Sequence, residues 1–205
     1  YACGLMTEWG VHMIDYALYG MKASNPKSVM AMGGKFAYPG DAAETPDTLQ
    51  TIYDFGDFSL LWEHATGIDG GNYGRNHGVA FIGNNGTLVL DRGGWEVIPE
   101  HDRPHWSQDL GPKIEPVPLQ KGIGQGLGLH TKNFLEAVKT RDASLLKAPI
   151  KVGYDAAVVS HLGNVAFKTG ERLFWDAENG KFNHSTADAL LTKEYHNGWK
   201  FPKMG

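Results

Sequence analysis

The 205-residue chain has a single cysteine, Cys3. No disulfide can form within it, so burial and hydrogen bonding must hold the fold. No apolar run approaches the roughly 20 residues that a membrane-spanning helix needs, and no membrane partner is expected. A basic excess is missing too: 19 Lys and Arg stand against 23 Asp and Glu, for a formal net charge of −4. Nucleic-acid surfaces carry clustered Lys and Arg, so that partner class is not expected either. There is no Gly-x-x-x-x-Gly-Lys-Ser/Thr loop, no His-Glu-x-x-His pair and no cysteine cluster, so phosphate-loop chemistry and the common zinc frameworks have no residues to build on.

Glycine is plentiful but wrongly spaced for a dinucleotide. In Gly122-Ile123-Gly124-Gln125-Gly126-Leu127-Gly128 the glycines alternate, and Gly-x-Gly-x-x-Gly fails at either start. Pro116 and Pro118 interrupt any apolar strand leading into it. The segment reads as a flexible linker before a helix.

A hydrophobic fraction of 41% supports one globular domain with a substantial core. Residues 5–20 read as a helix. Ser28–Tyr38 reads as a strand with a bulge or bend at Gly33-Gly34. Asp47–Phe55 and Phe58–Thr66 form a predicted hairpin about Gly56-Asp57. Gly67–His77, with glycines at 67, 70, 71 and 74, reads as a mobile loop. Gly78–Ile82 and Thr87–Asp91 flank the turn Asn84-Asn85-Gly86, and Trp95–Pro99 follows. Residues 100–126 read as an extended arm. Helices are predicted at 129–141, 152–169 and near 185–195, with a short strand at 172–175. The expected class is α+β: a mostly antiparallel open sheet of about six strands with helices packed on one face. In the helix at 152–169, Tyr154, Val158, His161, Leu162 and Val165 are taken as one side, with His161 as a core histidine. Trp175-Asp176 reads as structural.

The chemistry concentrates at the start. Glu8, His12 and Asp15 sit at i, i+4 and i+7 and share one helical face, beside an apolar stripe of Val11, Ile14 and Leu18. A carboxylate one turn before an imidazole can orient the ring and suit it to general acid/base work near neutral pH. The plain alternative is a solvated face with one weak pair. A metal site is a third reading, without support from any known ligand spacing.

The order of motifs resembles the C-terminal domain of the Gfo/Idh/MocA family, the sugar and inositol dehydrogenases related to glucose–fructose oxidoreductase. Its carriers are the glycine-led helix with Glu8, His12 and Asp15, then Asn25-Pro26-Lys27-Ser28-Val29, then Glu44-Thr45-Pro46-Asp47-Thr48. Further along come Trp62-Glu63-His64, Tyr73-Gly74-Arg75-Asn76-His77-Gly78, His130-Thr131-Lys132-Asn133-Phe134-Leu135, Ser160-His161-Leu162-Gly163-Asn164 and Leu173-Phe174-Trp175-Asp176. The resemblance implies His12 as the acid/base and Glu8, in place of the usual Asp, as its assistant; Asp15 is then a helix-end group. It also implies NAD or NADP, bound mainly by a Rossmann-type domain. On that reading residues 1–205 are one substrate-binding and oligomerisation domain, and the chain is a fragment that begins after the nucleotide domain and is inactive alone.

His64 shares a strand face with Trp62; it is either an interface histidine or a contact for a sugar hydroxyl. Tyr73 and Arg75, at the end of the glycine loop, are candidates to reach a polyol or an acidic sugar, although Arg75 could instead pair with Asp69. His130 reads as a helix cap. Strand segments such as Leu60-Leu61-Trp62 and Val79-Ala80-Phe81-Ile82 are apolar on both faces. That predicts a homodimer or higher homo-oligomer through the open sheet face, with cover by the arm at 100–126 as the alternative. The low cysteine content favours the cytoplasm. Two other functions stay open: an NAD-dependent glycoside hydrolase on the same scaffold, and a non-catalytic oligomerisation or sugar-binding module.

Overall fold

The structure is a computed structural model that describes residues 3–192, 195–200 and 202. In chain order its elements are α1 (Leu5–Glu8), α2 (Gly10–Met21), β1 (Ser28–Gly34), β2 (Thr48–Asp54), β3 (Ser59–Ala65), β4 (Val79–Ile82), β5 (Gly86–Asp91), β6 (Gly94–Pro99), β7 (Val117–Lys121), α3 (Gly126–Thr140), α4 (Ile150–Thr169), β8 (Leu173–Asp176), β9 (Lys181–Phe182) and α5 (Ser185–Ala189). The class is α+β with antiparallel strands, as expected. The strands are shared between two sheets, of five and four strands, rather than joined in one of about six. The residues group into two compact units interleaved in sequence: Tyr1–Ile14, Ala23–Thr66 and Asp155–Gly205 form the first, Asp15–Lys22 and Gly67–Tyr154 the second.

The first unit holds the sheet β3-β2-β1-β8-β9. Antiparallel register places Val29 opposite Tyr53, and Thr51 opposite Trp62. Alternation then puts Val29, Leu49, Thr51, Tyr53 and Trp62 on one face, and all five are buried. Pairing runs regularly from Ser28 to Gly34, so Gly33-Gly34 is no bulge. A Cβ on Gly33 would lie 2.2 Å from the Thr48 carbonyl oxygen, so close backbone approach explains that glycine. The hairpin at Gly56-Asp57 forms as expected, with Phe55 N donating to Phe58 O and Gly56 at φ 94°.

Helical residues cover that face. Tyr53 donates to the Val159 carbonyl at 3.0 Å, and Thr51 Oγ1 lies 3.8 Å from Met6 Sδ. A Cβ on Gly163 would come within 2.4 Å of the Tyr53 hydroxyl, and one on Gly10 would touch Ser160 Oγ at 3.5 Å. Small residues therefore set how closely the helices approach one another and the sheet. The buried residues of α4 include Ala156, Val159, Ser160, Gly163 and Ala166. Tyr154 and His161 are exposed, which corrects the expected core histidine. Fully burying each of Met6, Ile14, Leu49 and Leu162 contributes about 1.5–3 kcal/mol. Asn164 Nδ2 holds the Cys3 carbonyl at 2.9 Å. Asp176 closes a turn on Asn179, consistent with a structural role.

The opposite face of this sheet carries exposed apolar side chains around the polar Gln50 and Glu63. Met30, Met32, Ile52, Leu61 and Phe174 are 47–76% exposed there. Phe36 folds its ring over Gly34 and extends the same surface.

The second unit contains the meander β4-β5-β6-β7. Its first turn carries Asn84-Asn85, closed by Gly83 N to Gly86 O at 3.0 Å. Residues 100–126 are not simply an arm. Lys113 N pairs with Glu100 O and Asp102 N with Gly111 O, and β7 then pairs with β6. Pro118 is tolerated because β7 is an edge strand beside a register shift. A strand therefore does feed the glycine segment, and α3 begins at Gly126 rather than 129, so His130 lies inside the helix instead of capping it. Asn133 clamps the chain after α3, donating to Leu145 O at 2.7 Å and accepting from Lys147 N at 2.9 Å. In the first unit again, α5 ends at Ala189, short of the predicted 195; residues 193 and 194 of that expectation lie outside the described residues.

Asp47 pins the loop after β1, accepting from the amides of Phe36, Ala37 and Tyr38 at 2.9, 3.1 and 2.8 Å. Partial desolvation pushes its carboxyl up, but hydrogen bonds from Tyr38, Thr48, Ala37 and Phe36 outweigh it and hold the group at about 2. Because this value is depressed, the contribution is whole above the unfolded carboxyl value of about 3.9 and fades as pH falls through about 2. In Asp47→Ala, amide exchange at residues 36–38 is expected to speed up about tenfold or more at neutral pH, with β1 and β2 unchanged. Hydrogen-exchange mass spectrometry or NMR reads this directly.

Candidate functional site

The opening helix has a buried stripe that the sequence pattern only partly caught. Met6, Gly10, Met13, Ile14, Ala17 and Leu18 are buried, at i, i+4, i+7, i+8, i+11 and i+12. Val11 is only half-buried. Glu8 and His12 are on the exposed side. The helix is broken at Trp9: α1 ends at Glu8 and α2 starts at Gly10. Trp9 O accepts from His12 N and Met13 N at 3.1 and 3.2 Å. The Trp9 indole meets the His12 ring edge-on, with centroids 6.2 Å apart. Among the described residues Glu8 and His12 share no hydrogen bond, and neither ring nitrogen of His12 is engaged. The imidazole is thus chemically available. Asp15 lies mid-helix and half-buried, not at a helix end.

His64 is differently placed. Trp62 Nε1 donates to its Nδ1 at 3.0 Å, and Nε2 lies 3.3 Å from the Pro46 carbonyl oxygen. With Nδ1 accepting, Nε2 must carry the proton, which assigns the neutral tautomer from the network. Burial pulls its pKa down, against opposing effects of Pro46 and Asp47. Both nitrogens are used within the chain, so this ring has none to spare for a sugar hydroxyl.

The loop at 67–77 does not end freely. Arg75 Nη1 donates to Asp91 at 2.7 Å and Nη2 to Glu96 at 2.5 Å. The guanidinium side chain is 11% exposed. Its carboxylate partners come from β5 and β6, not from Asp69. These hydrogen bonds raise the Arg75 pKa further. Desolvation pushes Asp91 up, but Arg75 and the amides of Gly93 and Gly94 bring it below the ordinary carboxylate value. Tyr73, 46% exposed at φ 59°, stands at the rim. Together Asp69, Tyr73, Arg75, Asn76, Asp91 and Glu96 line an open depression of about 470 Å³ in the second unit. Asp91 and Glu96 escaped the sequence reading because nothing in spacing links them to residue 75.

Among the described residues no group of three His, Cys, Asp or Glu is arranged to hold a metal ion. Nor does the strand that leads into the glycine segment make a dinucleotide fingerprint. β7 leads through Gly122 into α3, but β7 is an antiparallel edge strand, whereas the dinucleotide fingerprint needs a strand–turn–helix followed by a parallel strand. No helix among the described residues is long and apolar enough to cross a membrane.

No family model matches the chain, and no curated protein matches it. Solved structures do resemble it. A protein assigned as an oxidoreductase, YvaA of Bacillus subtilis, superposes with a TM-score of 0.60 at 15% identity, over 84% of this chain and 53% of its own. One from Klebsiella pneumoniae, also assigned as an oxidoreductase, gives 0.56 at 14% identity over 92% and 53%. A protein assigned as a myo-inositol dehydrogenase, from Sinorhizobium meliloti, gives 0.50 at 14% over 83% and 50%. The chain thus spans about half the length of these oxidoreductases and dehydrogenases, and the likeness establishes the fold.

Removing the Arg75 guanidinium would strand two carboxylates. Arg75→Met is expected to destabilise the protein by about 1–3 kcal/mol and to loosen residues 67–77. Urea unfolding monitored by tryptophan fluorescence, with proteolysis to map the loop, checks both.

Proposed function

We propose that this chain is the substrate-side domain, in the manner of the Gfo/Idh/MocA C-terminal domain, of a cytoplasmic NAD(P)-dependent oxidoreductase acting on a sugar or cyclitol hydroxyl. The observation that carries the reading is His12: an exposed imidazole with neither nitrogen engaged among the described residues, on a fold shared with oxidoreductases and dehydrogenases. On this reading the cofactor would be held by another domain, where it accepts the hydride. His12 takes the hydroxyl proton as the carbon is oxidised. Glu8, one turn earlier, supports the protonated ring by its charge.

The test uses the polypeptide encoded by the complete reading frame, assayed for NAD(P)H formation on hexoses and inositols. His12→Asn is expected to lower kcat by about 10²–10⁴ with an unchanged melting temperature. Glu8→Gln has a smaller effect. Near-normal turnover in His12→Asn removes the assignment.

We also propose that copies pair through the open face of the five-stranded sheet, since an exposed apolar surface of this kind is the mark of an interface. Ile52→Lys, at the middle of that face, is expected to shift a dimer or larger assembly toward monomer in sedimentation velocity. A wild-type monomer at micromolar concentration contradicts the pairing.

A further inference from the structure

In the second unit α3 presents its apolar stripe to solvent. Leu127, Thr131, Phe134, Leu135 and Val138 fall within an arc of about 100° on the helix, and no charged residue interrupts them. All five are exposed, Leu127 to 82% and Phe134 to 54%. The side that meets the rest of the unit is a different one. Ala137 is the one buried residue of α3, and Asn133 next to it makes the clamp on Leu145 and Lys147. An amphipathic helix lays such a stripe on a core. A lone helix of 15 residues is marginal in water, and Gly126 and Gly128 weaken this one further. The stripe therefore calls for a cover. Lys132 and Lys139 border one edge of it, and neither forms an ion pair among the described residues.

We infer that the Leu127–Phe134–Val138 stripe of α3 docks onto a further domain of the same polypeptide, on an apolar surface with acidic residues facing Lys132 and Lys139. The inference rests on the proposal that another domain holds the cofactor, and it names the element of this chain that meets that domain. Size decides between a tethered partner and a free one. The helix is about 22 Å long and 10 Å wide, so its footprint is a few hundred Å² at about one side, whereas a stable complex of separate proteins needs about 800 Å² from each. A tether supplies the effective concentration that so small a contact lacks. Solved structures with this fold have the length for it, since the chain spans 53% of two of them. A second copy fits less well: antiparallel pairing of α3 about a two-fold axis brings the two lysine edges together. A membrane surface fits less well too, because the side opposite the stripe carries Leu129, Glu136 and Thr140 rather than a row of cations.

The test uses the polypeptide encoded by the complete reading frame. Hydrogen exchange is expected to show the amides of residues 129–140 protected as well as those of β5 and β6. Phe134→Glu is expected to speed their exchange at least tenfold and to leave β5 and β6 unchanged. Leu129→Glu makes the same chemical change on the far side of the helix and is expected to have no such effect. Carbodiimide cross-linking is expected to join Lys132 or Lys139 to a carboxylate outside residues 1–205, and a mixture of ¹⁴N and ¹⁵N protein shows that the link lies within one molecule. The inference is overturned by a reading frame without a further domain, by α3 amides that exchange as fast as exposed loops, or by an equal response to both variants. Cross-links confined to residues 1–205 or to a second copy, or protection that appears only with phosphatidylserine vesicles, also overturn it. Docking without NAD(P)-dependent turnover removes the oxidoreductase reading and leaves the docking standing; turnover with α3 unprotected does the reverse.

Discussion

The contact on which the first unit depends is the close approach of α4 to β2 at Gly163 and Tyr53. A hydroxyl wedged 2.4 Å from where a side chain would begin leaves room for nothing larger than hydrogen. The same hydroxyl spends its proton on Val159 O, and burial drives its pKa well above the ordinary phenol value. Met6 packs into the same corner, beside Gly163 and Thr51. With Met6, Gly10 and Ile14 committed inward, the helix face carrying Glu8 and His12 has to turn outward. The availability of the imidazole is thus a consequence of packing several residues away.

Polar anchoring in both units follows one pattern: a single side chain organises a segment that has no regular structure of its own. Asp47 collects three successive amides and fixes the loop after β1. Asn133 holds both a carbonyl and an amide of the chain after α3. Arg75 ties the glycine-rich loop to β5 and β6. Each acts on backbone or charge that would otherwise compete with water, so each trades loop entropy for a small number of strong hydrogen bonds. Arg75 differs because its partners are charged, which makes its loop the most sensitive to electrostatic change and gives the neighbouring depression its sign.

Much of this was legible in residue order. Alternation, apolar runs and the turn residues at Gly56-Asp57 and Asn84-Asn85 located seven of the strands within a few residues. The misreadings have physical causes. Pro116 and Pro118 argued against β7, but an edge strand needs fewer amide donors than a central one. Gly126 and Gly128 argued for a later start to α3, although glycine lowers helix propensity without forbidding the first turn. His161 was assigned inward with the large apolar residues of α4, whereas the inward stripe is made of small ones, and hydrophobicity does not reveal where close approach is wanted.

By itself the sequence determined the strand and helix order, the antiparallel α+β class, the lack of covalent cross-links and the presence of a carboxylate and an imidazole one turn apart. These follow from local periodicity, composition and spacing, which are properties of neighbours along the chain. Only the tertiary structure decided that His64 is occupied by Trp62 and Pro46, that Arg75 answers to Asp91 and Glu96, and that the strands divide between two sheets. Those outcomes depend on which distant side chains share a few ångströms, and charge and hydrogen bonding at that range are set by the folded register rather than by the distance between residues in the sequence.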